Sequence, residues 1–188
     1  MGDKNQILYL QKFQDATAKI TGPVLEVGSR VESNATGYRE YFPDNEYVGL
    51  DLQDGRNVDV VQDLTLGTGN LPLDYFELVI CCSVFEHVDR PWLAAEHLSK
   101  VSKKGGFLYF SVPWVWRFHA YPSDYFRYSP ASFPILFPDY DWRKYHVSTR
   151  TPGDIKEINP KKLMGFDTRL AVAGCLPYMM INSIGTKK

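Results

Sequence analysis

The sequence predicts an open α/β fold, a mostly parallel sheet with helices on both faces. Three observations carry that prediction. Short apolar runs recur at Val24–Val27, Tyr47–Leu50, Phe76–Cys82 and Phe107–Val112. None of them alternates in polarity, which is how parallel strands covered on both faces read. Several close on small or polar residues, Gly28, Asp51 and Ser83, at the strand ends where an open sheet gathers its ligands.

Each element has its own signal. Residues 5–20 place Ile7, Leu8, Phe13, Ala16 and Ile20 at helical spacing, an amphipathic opening helix ended by Gly22-Pro23. Val24–Val27 and Tyr47–Leu50 are the first two strands. Val58–Val61 is a third, ending at Gln62-Asp63, and Phe76–Cys82 is the longest β-like run of the first half. A helix over Pro91–Lys103 follows, with Leu93, His97, Leu98 and Val101 along one face. Pro91 suits its first turn and Gly105-Gly106 its stop. Phe107–Val112 is the next strand. The texture then changes: aromatic side chains crowd the stretch from Phe107 to Tyr145, with prolines between them. This reads as irregular cover with short helices, at Pro130–Phe137, over the carboxyl edge of the sheet. Asp141–Ser148 and Thr168–Cys175 are the last strand candidates.

Composition bounds the function. A chain of 188 residues suits one domain, since independent domains run to about 100–200 residues. Hydrophobic and charged fractions of 44% and 23% exclude disorder and a fibrous repeat. No stretch approaches the roughly 18 uninterrupted apolar residues of a membrane span. The N-terminal MGDKNQILYL has no basic-then-apolar signal pattern, and Gln6 stands where a myristoylation pattern needs Ser or Thr. A cytoplasmic protein is expected. Cys81, Cys82 and Cys175 cannot make a disulfide framework, and adjacent Cys81 and Cys82 point to opposite faces if they lie in a strand. No Cys/His spacing suggests zinc, so no metal is expected. Residues 1–94 hold 7 basic and 15 acidic side chains, and residues 95–188 hold 14 and 7. The basic residues are scattered and form no stripe, so a nucleic-acid partner is not expected.

The strand ends carry the chemistry. Glu26 lies in the first strand, and Asp51 ends the second, placed to accept hydrogen bonds from both hydroxyls of a ribose. Gly28 lets the backbone approach a ligand where a β-carbon would block it. Together they indicate an adenosine-type cofactor. A dinucleotide would need further glycines to cradle its pyrophosphate, but Gly28 is followed by Ser-Arg-Val-Glu-Ser, and no phosphate loop occurs elsewhere. A ribose-reading acid without a phosphate cradle fits S-adenosylmethionine, which carries no phosphate.

LEVGSR at 25–30, EYVGLDL at 46–52, VDVVQDL at 58–64 and FELVICCSVFEHV at 76–88 resemble, in order and spacing, the class I S-adenosylmethionine-dependent methyltransferases of the type 11 group. The resemblance covers roughly residues 20–113. It implies a Rossmann-like, seven-stranded-type sheet whose last strand is antiparallel. On this reading the chain is one methyltransferase domain over 1–188: an N-terminal helix (1–22), a cofactor-binding core (23–113) and acceptor-side cover with the last strands (114–188). The resemblance implies that Glu26, Gly28 and Ser29 line the loop under the methionine and ribose. Asp51 binds the ribose hydroxyls, and Leu52 packs on the adenine. Asp63 accepts from the adenine amino group, with Leu64 beside the ring, and the backbone at Cys82 and Ser83 faces the cofactor amino group. Arg30 holds either the cofactor carboxylate or an anionic acceptor. Glu26 as a buried cap and Asp63 as a turn residue remain the bland alternatives.

For the acceptor, a small molecule is expected, with an oxygen acceptor preferred and S-adenosylhomocysteine as product. His87 and His119 are the candidate bases. Tyr121, Asp124, Tyr125 and Arg127 are candidate substrate residues, because polar tips in an aromatic wall suit an acceptor pocket. Arg127 pairing with Asp124 is the structural alternative, and His97 and His146 read as structural. A nucleic-acid methyltransferase, or a non-catalytic cofactor-binding or interaction protein on the same fold, stays open, as does a monomer or homodimer.

Overall fold

A computed structural model describes residues 4–17, 19–31, 37–120, 122–160 and 178–188. An opening helix, α1 (Lys4–Ala16), leads into strands β1 (Val24–Val27), β2 (Tyr47–Asp51), β3 (Val60–Val61) and β4 (Phe76–Cys82). Helix α2 (Pro91–Val101) precedes the long β5 (Ser102–Val115). The short α3 (Phe133–Leu136), β6 (Tyr140–Ser148), β7 (Ile155–Ile158) and β8 (Met179–Lys187) complete the described elements. The eight strands form one sheet in the order β3-β2-β1-β4-β5-β8-β6-β7. β3, β2, β1, β4 and β5 are parallel. β8 inserts antiparallel between β5 and β6, and β7 adds an antiparallel edge. The sheet is therefore the expected Rossmann-like type with one more strand than the seven anticipated.

Strand alternation divides the core in two. Leu25, Val27, Leu50, Val79, Cys81, Leu108 and Phe110 face α2 and α3, meeting Ala94, Ala95, Leu98, Phe133 and Phe137. Val24, Tyr47, Leu78, Ile80, Cys82 and Tyr109 face α1, meeting Tyr9 and Leu10. Cys81 and Cys82 thus lie in opposite layers, as their adjacency in a strand requires, and both are buried free thiols. The sheet order reverses between β1 and β4, so the carboxyl ends of those strands flank the crevice where an open α/β sheet binds its ligand. Among the described residues no helix is long and apolar enough to cross a membrane.

Several boundaries differ from the sequence expectation, each for a physical reason. The opening helix stops at Ala16 rather than running to residue 20, with the Thr17 hydroxyl donating to the Phe13 carbonyl. Its buried face is Asn5, Gln6, Tyr9 and Leu10, rotated from the apolar spacing that predicted it. β3 loses Val58-Asp59 because the Asp59 carboxylate accepts from the Gly49 N–H at 2.7 Å and pairs with Arg39, after Asn57 turns the chain at φ 74°. α2 ends at Val101, where the Ser102 hydroxyl donates to the Leu98 carbonyl. Gly105 is not the helix stop. It lies at φ 76° within β5, in the bulge that shifts register between the Phe76–Ser102 and Leu78–Phe107 pairs. The Asp141–Ser148 strand is present as β6, whereas β7 and β8 had no sequence signal. The Thr168–Cys175 candidate lies outside the described residues.

Candidate functional site

The carboxyl end of β1 turns over a left-handed Gly28 (φ 73°), and a β-carbon there would run into Val84 Cγ2. The turn is tied to β2 because Gly28 N–H and Ser29 N–H both donate to the Leu50 carbonyl, at 2.8 and 3.0 Å. Asp51, at the end of β2, accepts from the Arg30 N–H at 3.1 Å and the Gln53 N–H at 3.2 Å. Its carboxylate thus sits where the two loops meet. Leu52 beside it is 55% exposed. Asp63 Oδ1 accepts from the Thr65 N–H at 2.7 Å, leaving Oδ2 for a further donor. Leu64 is buried in the α2-side core, so its side chain faces inward. After β4, Ser83 adopts φ 56° and its N–H donates to the Ser111 carbonyl at 2.8 Å.

Two of the cofactor-loop candidates have other work. Glu26 is buried and accepts from Tyr47 OH at 2.6 Å and Asn57 Nδ2 at 2.8 Å. Burial pushes its carboxyl above the ordinary value, against the pull of those hydrogen bonds. It is a buried cap beneath the loop. The Arg30 guanidinium donates to Gln53 and packs along Gly55, over the turn that follows β2. Ser29 Oγ is buried and has no hydrogen-bond partner among the described residues. The Cys82 thiol is buried in the α1-side core, which pushes its pKa up and leaves the residue's backbone to face the strand end.

The same edge carries a second cluster. A short turn, Phe85–His87, follows Ser83, and the segment around 113–128 is stitched to it. Tyr125 N–H donates to the Glu86 carbonyl at 2.7 Å, and Tyr128 OH to the Phe85 carbonyl at 2.9 Å. His87 Nδ1 meets the Ser123 carbonyl. His119 Nδ1 lies 3.2 Å from the Arg117 carbonyl and 3.3 Å from Asp124 Oδ2. The two imidazoles meet edge to face with centroids 4.9 Å apart. A carbonyl only accepts, so in each ring Nδ1 carries the hydrogen, and in the neutral ring Nε2 has the lone pair. Burial lowers the His87 pKa, which favours the neutral ring. Sequence reasoning nominated both histidines, and the fold brings them together from either side of α2 and β5.

The substrate candidates divide. Arg127 donates to Asp124 and to the Trp116, Arg117 and Phe126 carbonyls, so this pair knits the loop. Arg127 holds the Asp124 carboxyl well below its usual range. Tyr125 is 53% exposed, and Tyr121 lies outside the described residues. His97 Nδ1 lies 2.7 Å from the Leu64 carbonyl, and His146 packs on Tyr9.

Two features were missed. Glu86 is 1% exposed, and desolvation pushes its carboxyl up to about 7. Its position between Phe85 and His87 directly after a buried strand was the available signal. Gln6 lies fully buried under the β4 and β5 ends, donating to Ser83 Oγ at 3.1 Å and Ser111 Oγ at 2.8 Å. No apolar pattern flags an amide in that role.

A family model described as a methyltransferase domain matches residues 6–161. The chain belongs to the methyltransferase family. Its architecture is that of the class I S-adenosylmethionine-dependent enzymes, and solved structures agree across nearly the whole chain. A SAM-dependent methyltransferase from Archaeoglobus fulgidus is 14% identical with TM-score 0.62, covering 99% of this chain and 95% of that one. The 1,6-didemethyltoxoflavin-N1-methyltransferase of Burkholderia thailandensis, solved with S-adenosylhomocysteine, is 10% identical with TM-score 0.67, covering 99% and 80%. Phosphoethanolamine N-methyltransferase 2 of Haemonchus contortus is 13% identical with TM-score 0.59, covering 97% and 52%. A search of curated proteins found no match.

Proposed function

We propose that this protein transfers the methyl group of S-adenosylmethionine to a hydroxyl of a small molecule, such as a sugar or another metabolite, in the cytoplasm. The observation that carries the acceptor half of this reading is the His87–His119 pair, two imidazoles beside the β4 end with no hydrogen bond at either Nε2 among the described residues. Asp51 is proposed to hold the ribose hydroxyls, Asp63 Oδ2 the adenine amino group, Leu52 the ring and the Ser83 backbone the methionine amino group. Bound there, the cofactor supplies an electrophilic methyl carbon on a sulfonium, with a neutral thioether as leaving group.

The protein's task is then positional and protolytic. With the cofactor bound, Nε2 of His87 or His119 would take the proton of the acceptor hydroxyl as the methyl group is transferred. Aligning the reactants lowers the entropic barrier, and a placed base adds about 10²–10⁴-fold. The Ser123 carbonyl, and the Arg117 carbonyl with Asp124, orient the rings and stabilise each as it gains charge.

The test is transfer of labelled methyl from S-adenosylmethionine to a panel pairing hydroxyl with amine acceptors, since two structural neighbours are named N-methyltransferases. An O-methyl product is expected, with turnover lowered about 10²-fold or more in the variant lacking the base, His87→Ala or His119→Ala, while cofactor affinity is unchanged. Wild-type rates in both variants would remove the base. Methylation of amines alone would overturn the oxygen acceptor.

A further inference from the structure

Among the described residues of the proposed acceptor cluster, Glu86 is the side chain with a buried oxygen left unmatched. Its carboxylate is 1% exposed, and Oε2 has no hydrogen-bond partner among the described residues. Leaving a buried carboxylate oxygen unmatched is costly, and a cation seated beside it offsets that cost as a bound proton does. Arg127, a basic residue of the same loop cluster, already spends its donors on Asp124 and the carbonyls of Trp116, Arg117 and Phe126.

What surrounds Glu86 instead is a pair of lone pairs. One ligand atom each from Glu86, His87 and His119 lies within 4.8 Å of the other two, and Glu86 Oε1 is 3.8 Å from His87 Nε2. The orientation of the rings is that of metal-binding histidines. Each Nδ1 faces an oxygen acceptor, the Ser123 carbonyl for His87 and the Arg117 carbonyl with Asp124 for His119, which leaves Nε2 of each neutral ring as the nitrogen with a lone pair to give. The ligands come from two segments separated by α2 and β5, so the sequence shows no zinc spacing although the fold assembles one.

We propose that Glu86, His87 and His119 form a binding site for a single divalent transition-metal ion of the zinc type. Two imidazole nitrogens and one carboxylate oxygen suit Zn²⁺ and its borderline neighbours, whereas Mg²⁺ and Ca²⁺ prefer all-oxygen shells. Three protein ligands leave a coordination position open on the acceptor side. The site rests on reading this cluster as the acceptor end of the methyltransferase. An ion there takes both Nε2 lone pairs, so metal occupancy and direct proton transfer to these imidazoles exclude each other, and the ion acts as a switch on the base.

Calorimetric titration of chelator-treated protein with ZnCl₂, and separately with S-adenosylmethionine, tests the site and the reading beneath it independently. One zinc ion should bind per chain, and affinity should fall by tenfold or more in Glu86→Gln and in His119→Asn. Glu86→Gln removes a carboxyl whose burial is costly, so it should fold at least as well as wild type. Co²⁺ added to the unaltered protein should give the visible d–d bands of a low-coordinate histidine–carboxylate site, a readout that needs no variant. Absence of zinc binding and of those bands, or zinc affinity unchanged in both variants, would overturn the site. If cofactor binding persisted in that case, the methyltransferase reading would stand without the metal. Zinc binding with no cofactor binding would overturn the cofactor reading and leave the metal site.

Discussion

Burying the Glu26 carboxylate between Tyr47 and Asn57 raises its pKa, because desolvation outweighs the hydrogen bonds it accepts. An acid whose folded pKa exceeds its unfolded value of about 4.3 costs stability once ionised. That cost is complete above the raised value and vanishes as pH falls through it toward about 4.3. The stability of Glu26→Gln relative to wild type should therefore be greatest at neutral pH and decline on acidification. Thermal melts across that range check the trend, and a gap independent of pH would contradict it. Gly28 is constrained by its backbone. Gly28→Ala forces a side chain into the left-handed region, at about 1–2 kcal/mol, and drives its β-carbon into Val84. A lowered melting temperature together with weakened S-adenosylmethionine binding is expected, and wild-type values for both would count against the tight turn. Gly28 and Asp51 were legible in the sequence because each ends a buried run. The role of Glu26 was not, since a lone acid in a strand reads equally as ligand or as buried cap until Tyr47 and Asn57 are placed against it.

At the scale of elements, α1 and β8 show where apolar patterning stops being informative. α1 docks through buried amides: Asn5 donates to the Thr149 and Thr151 carbonyls at 2.7 and 2.8 Å, and Gln6 donates to Ser83 and Ser111. Its apolar spacing therefore predicted the helix and found Ile7 and Phe13 on the packed side, but not the amides that dock it. β8 is central yet carries Asn182 and Ser183 in its interior. Asn182 accepts from Tyr109 OH and Ser111 Oγ and donates to Ser148 Oγ, so the strand is held by a polar network rather than an apolar run. Gln6→Leu should cost about 2 kcal/mol, since it strips partners from Ser83 and buried Ser111. Because Ser83 holds the β4 turn, the same change should weaken S-adenosylmethionine binding. Denaturant unfolding and calorimetric titration measure the two effects, and a variant equal to wild type in both would show that Gln6 does not position the turn.

At the scale of the whole molecule, the sequence patterning was most reliable where both faces of a strand are covered. β1 and β4 were legible to the residue and β2 to within one, because their runs are apolar on both faces of the central sheet. The edge strand β7 reads IKEI with both charged residues exposed, and nothing in so short a run separates an edge strand from a loop. The cluster of His87 and His119 was legible as a candidate, through its aromatics and histidines, but not as a geometry. Only the stitching of Tyr125 and Tyr128 onto the Phe85–His87 turn sets His119 against His87, with a Glu86 oxygen within reach of both. The proposed cofactor residues and the proposed acceptor residues thus lie on one carboxyl edge, around the reversal of strand order between β1 and β4. Calorimetric titration with S-adenosylmethionine and S-adenosylhomocysteine, with NAD and ATP as controls and Asp51→Ala as the altered site, tests that account most directly. Selective binding of the two sulfur nucleosides, lost in Asp51→Ala, is the result predicted. Well-folded protein that binds neither, or an Asp51→Ala variant with wild-type affinity, would contradict it.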